Sequence, residues 1–176
     1  MSEKSTFDIL DFTYKAVMEW LKFAEQKTAG LLILNSGVIW AYLRLLNKQE
    51  IAYSWLSYVN VVSLVLLILS SVICIVSLMP VLDSFWYFDA GKNKDKNAFY
   101  FKDIATLDEY SYLKLLNESN QANSFNKKDI DLAKQIVINS KITTIKYSRF
   151  KFSSVLSVLC FVCIGLVQLI SYVGGS

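Results

Sequence analysis

From Ile51 to Leu82 the chain carries no charged residue. Inside that run, Tyr58–Met79 reads YVNVVSLVLLILSSVICIVSLM. A helix crosses the hydrocarbon core of a bilayer with about 20 such residues at about 1.5 Å each. A buried helix of a soluble bundle keeps a polar stripe for water. Here the Ser and Asn residues are scattered, with no continuous stripe, so the segment is expected to span a membrane. Phe152–Val173 is a second uncharged run of this kind. Thr28–Leu46 is a third and weaker one, because it contains Asn35, Ser36 and Arg44. Arg44 is close enough to the end to reach headgroups with its long side chain. Trp40, Tyr42, Tyr53, Trp55 and Tyr58 cluster around the loop Asn47–Glu50, where interfacial aromatics are expected.

These runs divide the chain into 1–27, an amphipathic cytoplasmic helix; spans at 28–46, 58–79 and 152–173; a short external loop at 47–57; and a charged insert at 80–151. Lys4, Lys15, Lys22 and Lys27 precede the first span, and 12 more basic residues lie between Asp83 and Lys151. The excess of cations assigns the N-terminus and the insert to the cytoplasmic side of the inner membrane. The opening MSEKSTFDILDFTYK has no apolar stretch beside a basic start and does not read as a cleavable signal.

The fold class expected is an all-α membrane protein, a bundle of long helices extending into a small cytoplasmic helical domain. Phe7, Ile9, Leu10, Tyr14, Val17, Met18, Leu21 and Ala24 recur at helical spacing, and nothing breaks the pattern before the first span. One helix from Thr6 to Leu46 is therefore expected, with about half of it outside the membrane. Ile130, Ala133, Ile136, Val137, Ser140, Thr144 and Tyr147 predict a similar helix from Lys127 to Tyr172, opened by Asn126 as N-cap. Between them, Thr106-Leu-Asp-Glu109 reads as a capping box for a short helix. Phe99 and Phe101 suggest a short extended piece, and Gly91–Lys96 and Asn117–Ser124 read as loops.

The chain has no His, so the commonest general base and metal ligand are missing. Cys74, Cys160 and Cys163 lie in apolar runs and read as packing residues. The pattern G-x-x-x-x-G-K-[ST] is absent. No catalytic residue, metal or cofactor is expected, and an enzyme is the least supported class. A net charge of +3 without a basic face argues against a nucleic-acid partner.

Several pieces occur in a telling order: Phe23-Ala-Glu25-Gln-Lys27-Thr-Ala-Gly30 entering the first span; Pro80 after the second; Phe99-Tyr-Phe-Lys-Asp-Ile-Ala105 and Glu109-Tyr110; then Asp129-Ile-Asp-Leu-Ala-Lys-Gln135, Asn139-Ser140 and Lys146-Tyr147 before the third. In this order the chain resembles the Pycsar effector transmembrane family, the PycTM proteins of bacterial antiphage defence. The resemblance implies a partner cyclase making cyclic CMP or cyclic UMP, and an effector that senses it and impairs the inner membrane, ending the infection with the cell. Such a ligand needs a cation, hydrogen-bond donors and an aromatic face. Candidate ligand-binding residues are Glu25, Lys27, Tyr100, Lys102, Lys146 and Tyr147. Headgroup contact, or pairing with Glu25, is the alternative for the two lysines, and ordinary packing the alternative for the tyrosines. Asn35 and Gln168, polar at membrane depth, are expected to join helices, with contact between subunits or the lining of a pore as the alternatives. Three spans are too few to enclose a wide channel, so membrane lipid and further copies of the chain are the expected partners. The competing classes are a holin-like or constitutive membrane toxin without a ligand, and a scaffold or transporter subunit.

Overall fold

The computed structural model describes residues 6–46, 54–80, 96–117 and 125–174. Within them lie five helices: α1 Thr6–Leu46, α2 Ser54–Leu78, α3 Phe101–Ile104, α4 Glu109–Asn117 and α5 Lys127–Gly174. There is no strand among the described residues. The two long helices run as the sequence pattern requires, 41 residues for α1 and 48 for α5. The loop expected at Asn47–Glu50, and most of those at Gly91–Lys96 and Asn117–Ser124, fall outside the described residues.

The chain forms two compact units, Met1–Ala24 with Val81–Tyr147, and Glu25–Pro80 with Ser148–Ser176. Both α1 and α5 contribute to each unit without a break.

The first unit is built as a soluble domain is built. Leu10 and Val17 of α1, Phe101 and Ile104 of α3, Tyr112 and Leu113 of α4, and Ala133, Ile136 and Val137 of α5 form one buried apolar cluster. Removing such surface from water is the main favourable term for so small a domain. The face of α1 differs in part from the expected one: Phe7 and Met18 are exposed, and Thr13 is buried with its hydroxyl donating to the Ile9 carbonyl at 2.9 Å. That bond lets a polar side chain enter the core without an unmade donor.

Two local expectations are corrected. The stretch through Phe99 and Phe101 is not extended. Asn97 Oδ1 accepts from the Phe99 N–H at 2.9 Å, and the Asn97 N–H donates to Asp103 Oδ2 at 3.1 Å. These bonds fold the chain into a turn, and the Tyr100 carbonyl then accepts from the N–H groups of Asp103 and Ile104 to start α3. The cap of α4 is Asp108, whose carboxylate accepts from the Ser111 N–H at 3.3 Å. Thr106 instead donates to the Asp103 carbonyl at 2.7 Å and closes the turn after α3. At the start of α5, the Asn126 carbonyl accepts from Asp129 and Ile130, which places Asn126 where an N-cap was expected.

The second unit reverses this pattern. Most of its buried positions are small or polar, and they recur every seven residues. On α2 they are Leu56, Ser63, Ser70 and Ser77, interleaved with Asn60, Leu67 and Cys74. On α1 they are Thr28, Asn35 and Tyr42, and on α5 Ser153, Cys160 and Val167 with Ser157. A strict seven-residue seam brings helices together in a left-handed supercoil. The outward positions are large and apolar, including Ile33, Leu34, Val62, Val65, Leu69, Val72, Val155, Leu159, Leu166 and Leu169. Small residues inside and aliphatic ones outside is the arrangement suited to lipid, where apolar burial gives helices no reason to associate.

One polar node joins all three helices of this unit. The Asn35 amide donates to Ser70 Oγ at 3.1 Å, and Ser157 Oγ donates to the Asn35 side-chain oxygen at 2.9 Å. Ser70 Oγ donates to the Ser153 carbonyl at 2.9 Å and lies 2.9 Å from Ser157 Oγ. The expectation that Asn35 joins helices is met by these bonds. Nearer the other end of α1, the Tyr42 hydroxyl donates to the Asn60 side-chain oxygen. By length and hydropathy two helices, over Trp55–Leu78 and Lys127–Val173, are able to cross a membrane; α1 is not among them. Asn35, Ser36 and Arg44 lower the hydropathy of its second half.

Asn35→Ala removes both bonds that α1 makes to the node and is expected to lower the stability of the protein in detergent by about 1–2 kcal/mol. Leu113→Ala, in the other unit, is expected to cost about 2–5 kcal/mol. Thermal unfolding in detergent, followed by far-UV circular dichroism, measures both.

Candidate ligand site

The first unit holds the side chains whose chemistry suits a ligand. Phe101 enters its core from the first turn of α3, and the Tyr147 ring stacks on it at 5.4 Å between centroids and 23° between planes. Trp20 from α1 closes on both, 5.8 Å from Phe101 and 6.4 Å from Tyr147. Tyr100 stands 5.0 Å from Phe101, its ring tilted by 56°. Trp20 and Tyr100 remain 46% and 43% exposed, so this aromatic corner offers free ring surface to solvent. Burial raises the Tyr147 phenol above its ordinary range, and the neighbouring Tyr100 adds to that rise.

Beside the corner, α5 also buries polar side chains. Ser140, Thr143, Thr144 and Lys146 are all buried. Thr143 and Thr144 satisfy their hydroxyls on the carbonyls of Asn139 and Ser140. The hydroxyls of Ser140 and Tyr147 are buried and meet no hydrogen-bond partner among the described residues. A buried hydroxyl left unmade costs roughly 1–3 kcal/mol, and such groups call for an explanation. Lys146 is 3% exposed. Keeping an ammonium at such a place requires compensating partners.

Of the six residues proposed from the sequence, Tyr100 and Tyr147 therefore meet around Phe101. Lys146 is buried in the same unit, and Lys102 is exposed in it. Glu25 and Lys27 belong to the second unit, where the Lys27 ammonium lies 5.9 Å from the centre of the Phe150 ring. Trp20 was not anticipated. Its signal was present, three residues after Val17 and four before Ala24, at the edge of the apolar face. Among the described residues no group of acids and cysteines is placed to hold a metal ion.

Tyr112 carries a further polar burden of this unit. It is fully buried, and burial pushes its phenol up to about 12, opposed weakly by the Thr13 hydroxyl.

An all-helical fold with two helices long and apolar enough to cross a bilayer, and aliphatic side chains turned outward on the second unit, fits a helical membrane protein. The sequence profile described as the Pycsar effector protein domain (PycTM) matches residues 9–172. The chain belongs to the Pycsar effector family, which makes it an effector of Pycsar antiviral defence and ties it to a cyclase-based signalling system. No curated protein and no solved structure matches it significantly.

The Tyr112 phenol gives a pH test of the first unit. Its folded value, about 12, lies above the ordinary 10 of an unfolded tyrosine. The unfolded chain therefore releases its proton first, and stability that is complete below about pH 10 falls by roughly 2–3 kcal/mol as pH rises through about 12. Tyr112→Phe is expected to flatten that loss in alkaline unfolding curves.

Proposed function

We propose that this effector senses a cyclic pyrimidine nucleotide, cyclic CMP or cyclic UMP, made by a partner cyclase during infection. In response it impairs the inner membrane, so that the infected cell dies before phage mature. The observation that carries this reading is the presence, on the same two unbroken helices, of an apolar-cored unit and an inside-out one. A receptor that acts on a bilayer needs both. The second half of α1 serves as a third span: Ile33 and Leu34 point outward, and Asn35 is bonded inward to α2 and α5. The N-terminus and the stretch 80–151 then face the cytoplasm, where the nucleotide is made.

The ligand binds in the first unit. Its base stacks on the exposed faces of Trp20 and Tyr100, as bases do on aromatic side chains of single-strand readers. Its cyclic phosphate is drawn by Lys146 and Lys102. The unmade hydroxyls of Ser140 and Tyr147 supply polar partners for the ribose or base. Glu25 and Lys27 lie in the other unit and are left out of this set. The chain performs no catalysis of its own and needs no metal or cofactor. A three-span subunit encloses no wide channel, so several copies act together. The ligand shifts that assembly only as far as it binds the damaging arrangement more tightly than the resting one.

Isothermal titration of the purified protein with cyclic CMP, cyclic UMP, cyclic AMP and cyclic GMP tests the reading. Heat is expected with a pyrimidine nucleotide. Trp20→Ala, which removes one stacking face, is expected to weaken that binding roughly tenfold or more. Silence with all four, together with toxicity in cells lacking the cyclase, would leave a membrane toxin that needs no ligand.

A further inference from the structure

The second unit carries a concentration of charge that sensing does not use. Among its described residues the only acid is Glu25, while the cations are Lys27, Arg44, Arg149 and Lys151. Arg44 lies against Trp40, 4.8 Å from its ring, in the last turn of α1. The other three cations share one level. Lys27 of α1 sits over the Phe150 ring of α5. Arg149, one residue earlier, reaches across to α2 and donates from Nη1 to the Val76 carbonyl at 3.3 Å. Lys151 follows and is exposed. The level is also a boundary in composition, because Phe152–Val173 contains no charge. Phe152, next to Lys151, and Met79, three residues after Val76, are 58% and 55% exposed.

We infer that Arg149 forms a binding site for the phosphate of an anionic phospholipid, with Lys27 and Lys151 at the same level adding longer-range attraction rather than direct contact. The Val76 carbonyl holds the Arg149 guanidinium in place through one hydrogen bond. Four of its five N–H donors meet no acceptor among the described residues, and their planar fork matches the oxygens of a phosphodiester. Fixing an arginine in this way lowers the entropy lost when it binds. Lys27 and Lys151 add attraction to the same anion, and one carboxylate among three cations leaves the belt positive. Phe152 and Met79 give the glycerol and upper acyl chain an apolar footing, which free phosphate does not use. The site rests on the lipid placement of the bundle and is independent of the nucleotide reading.

The test uses the full chain in a neutral detergent, with melting temperature measured against added lipid. Phosphatidylglycerol is expected to raise the melting temperature by about 3–5 °C at roughly ten times its dissociation constant. Phosphatidylcholine is expected to raise it far less, and the difference should shrink in high salt. Arg149→Ala risks exposing the Val76 carbonyl, so the informative variant is Arg149→Gln with Lys151→Ala, in which an amide still donates there. That variant should lose at least half of the phosphatidylglycerol increment. Lys134→Ala, an exposed cation of the first unit, should keep all of it. Equal shifts with the two lipids, or a full increment in the double variant, would overturn the site. So would an equal shift from glycerol phosphate alone, which would make the acyl footing irrelevant. A protein that binds no cyclic nucleotide yet shows the lipid difference would refute the sensing reading and leave this one standing.

Discussion

The bundle of the second unit depends on hydrogen bonds in a place where greasy contact does not select a structure. Aliphatic side chains there are as well served by lipid as by one another, so their burial favours no particular arrangement. Asn35, Ser70 and Ser157 have no such freedom. Away from water, each must find a donor or acceptor, and the three find one another together with the Ser153 carbonyl. A single polar residue in a seven-residue seam is a known way to fix register. Here the Asn35 amide is bonded to both neighbouring helices, so sliding α1 by one turn would break both bonds at once.

The first unit answers to the opposite solvent. Its core is leucine, isoleucine, valine and aromatic carbon, and its short helices α3 and α4 add the apolar surface that α1 and α5 by themselves lack. The unit is nevertheless not optimised for stability alone. Tyr112 is buried at a cost visible in its raised phenol, and Ser140 and Tyr147 keep buried hydroxyls unmade. These unmade hydroxyls share the unit with the exposed rings of Trp20 and Tyr100. Trp20 and Phe101 are as much a part of that arrangement as the residues with charges.

Much of the architecture was legible because it depends on local pattern. The limits of α1 follow from unbroken helical spacing, those of α5 from Asn126 and the basic run before Phe152, and α2 from the length of its uncharged run. What failed was fine detail that depends on competition between neighbouring side chains. Phe99 and Phe101 look extended by propensity, but Asn97 and Asp103 hold the chain in a turn. Thr106 looks like a cap, but Asp108 has the stronger acceptor one residue before α4. The six proposed ligand residues gave no sign of dividing between two units, because sequence order alone does not say which stretches share a core.

The sequence by itself determined where the long helices run and where apolar length is concentrated along them. Transfer free energies are properties of residues and need no fold to be added up. Only the tertiary structure decided which polar atoms meet. A hydrogen bond between Asn35 and Ser157 joins residues 122 positions apart, and the stack of Phe101 on Tyr147 joins two helices of different length. Such bonds are short-ranged and directional, so they exist only once packing has brought their partners within about 3 Å.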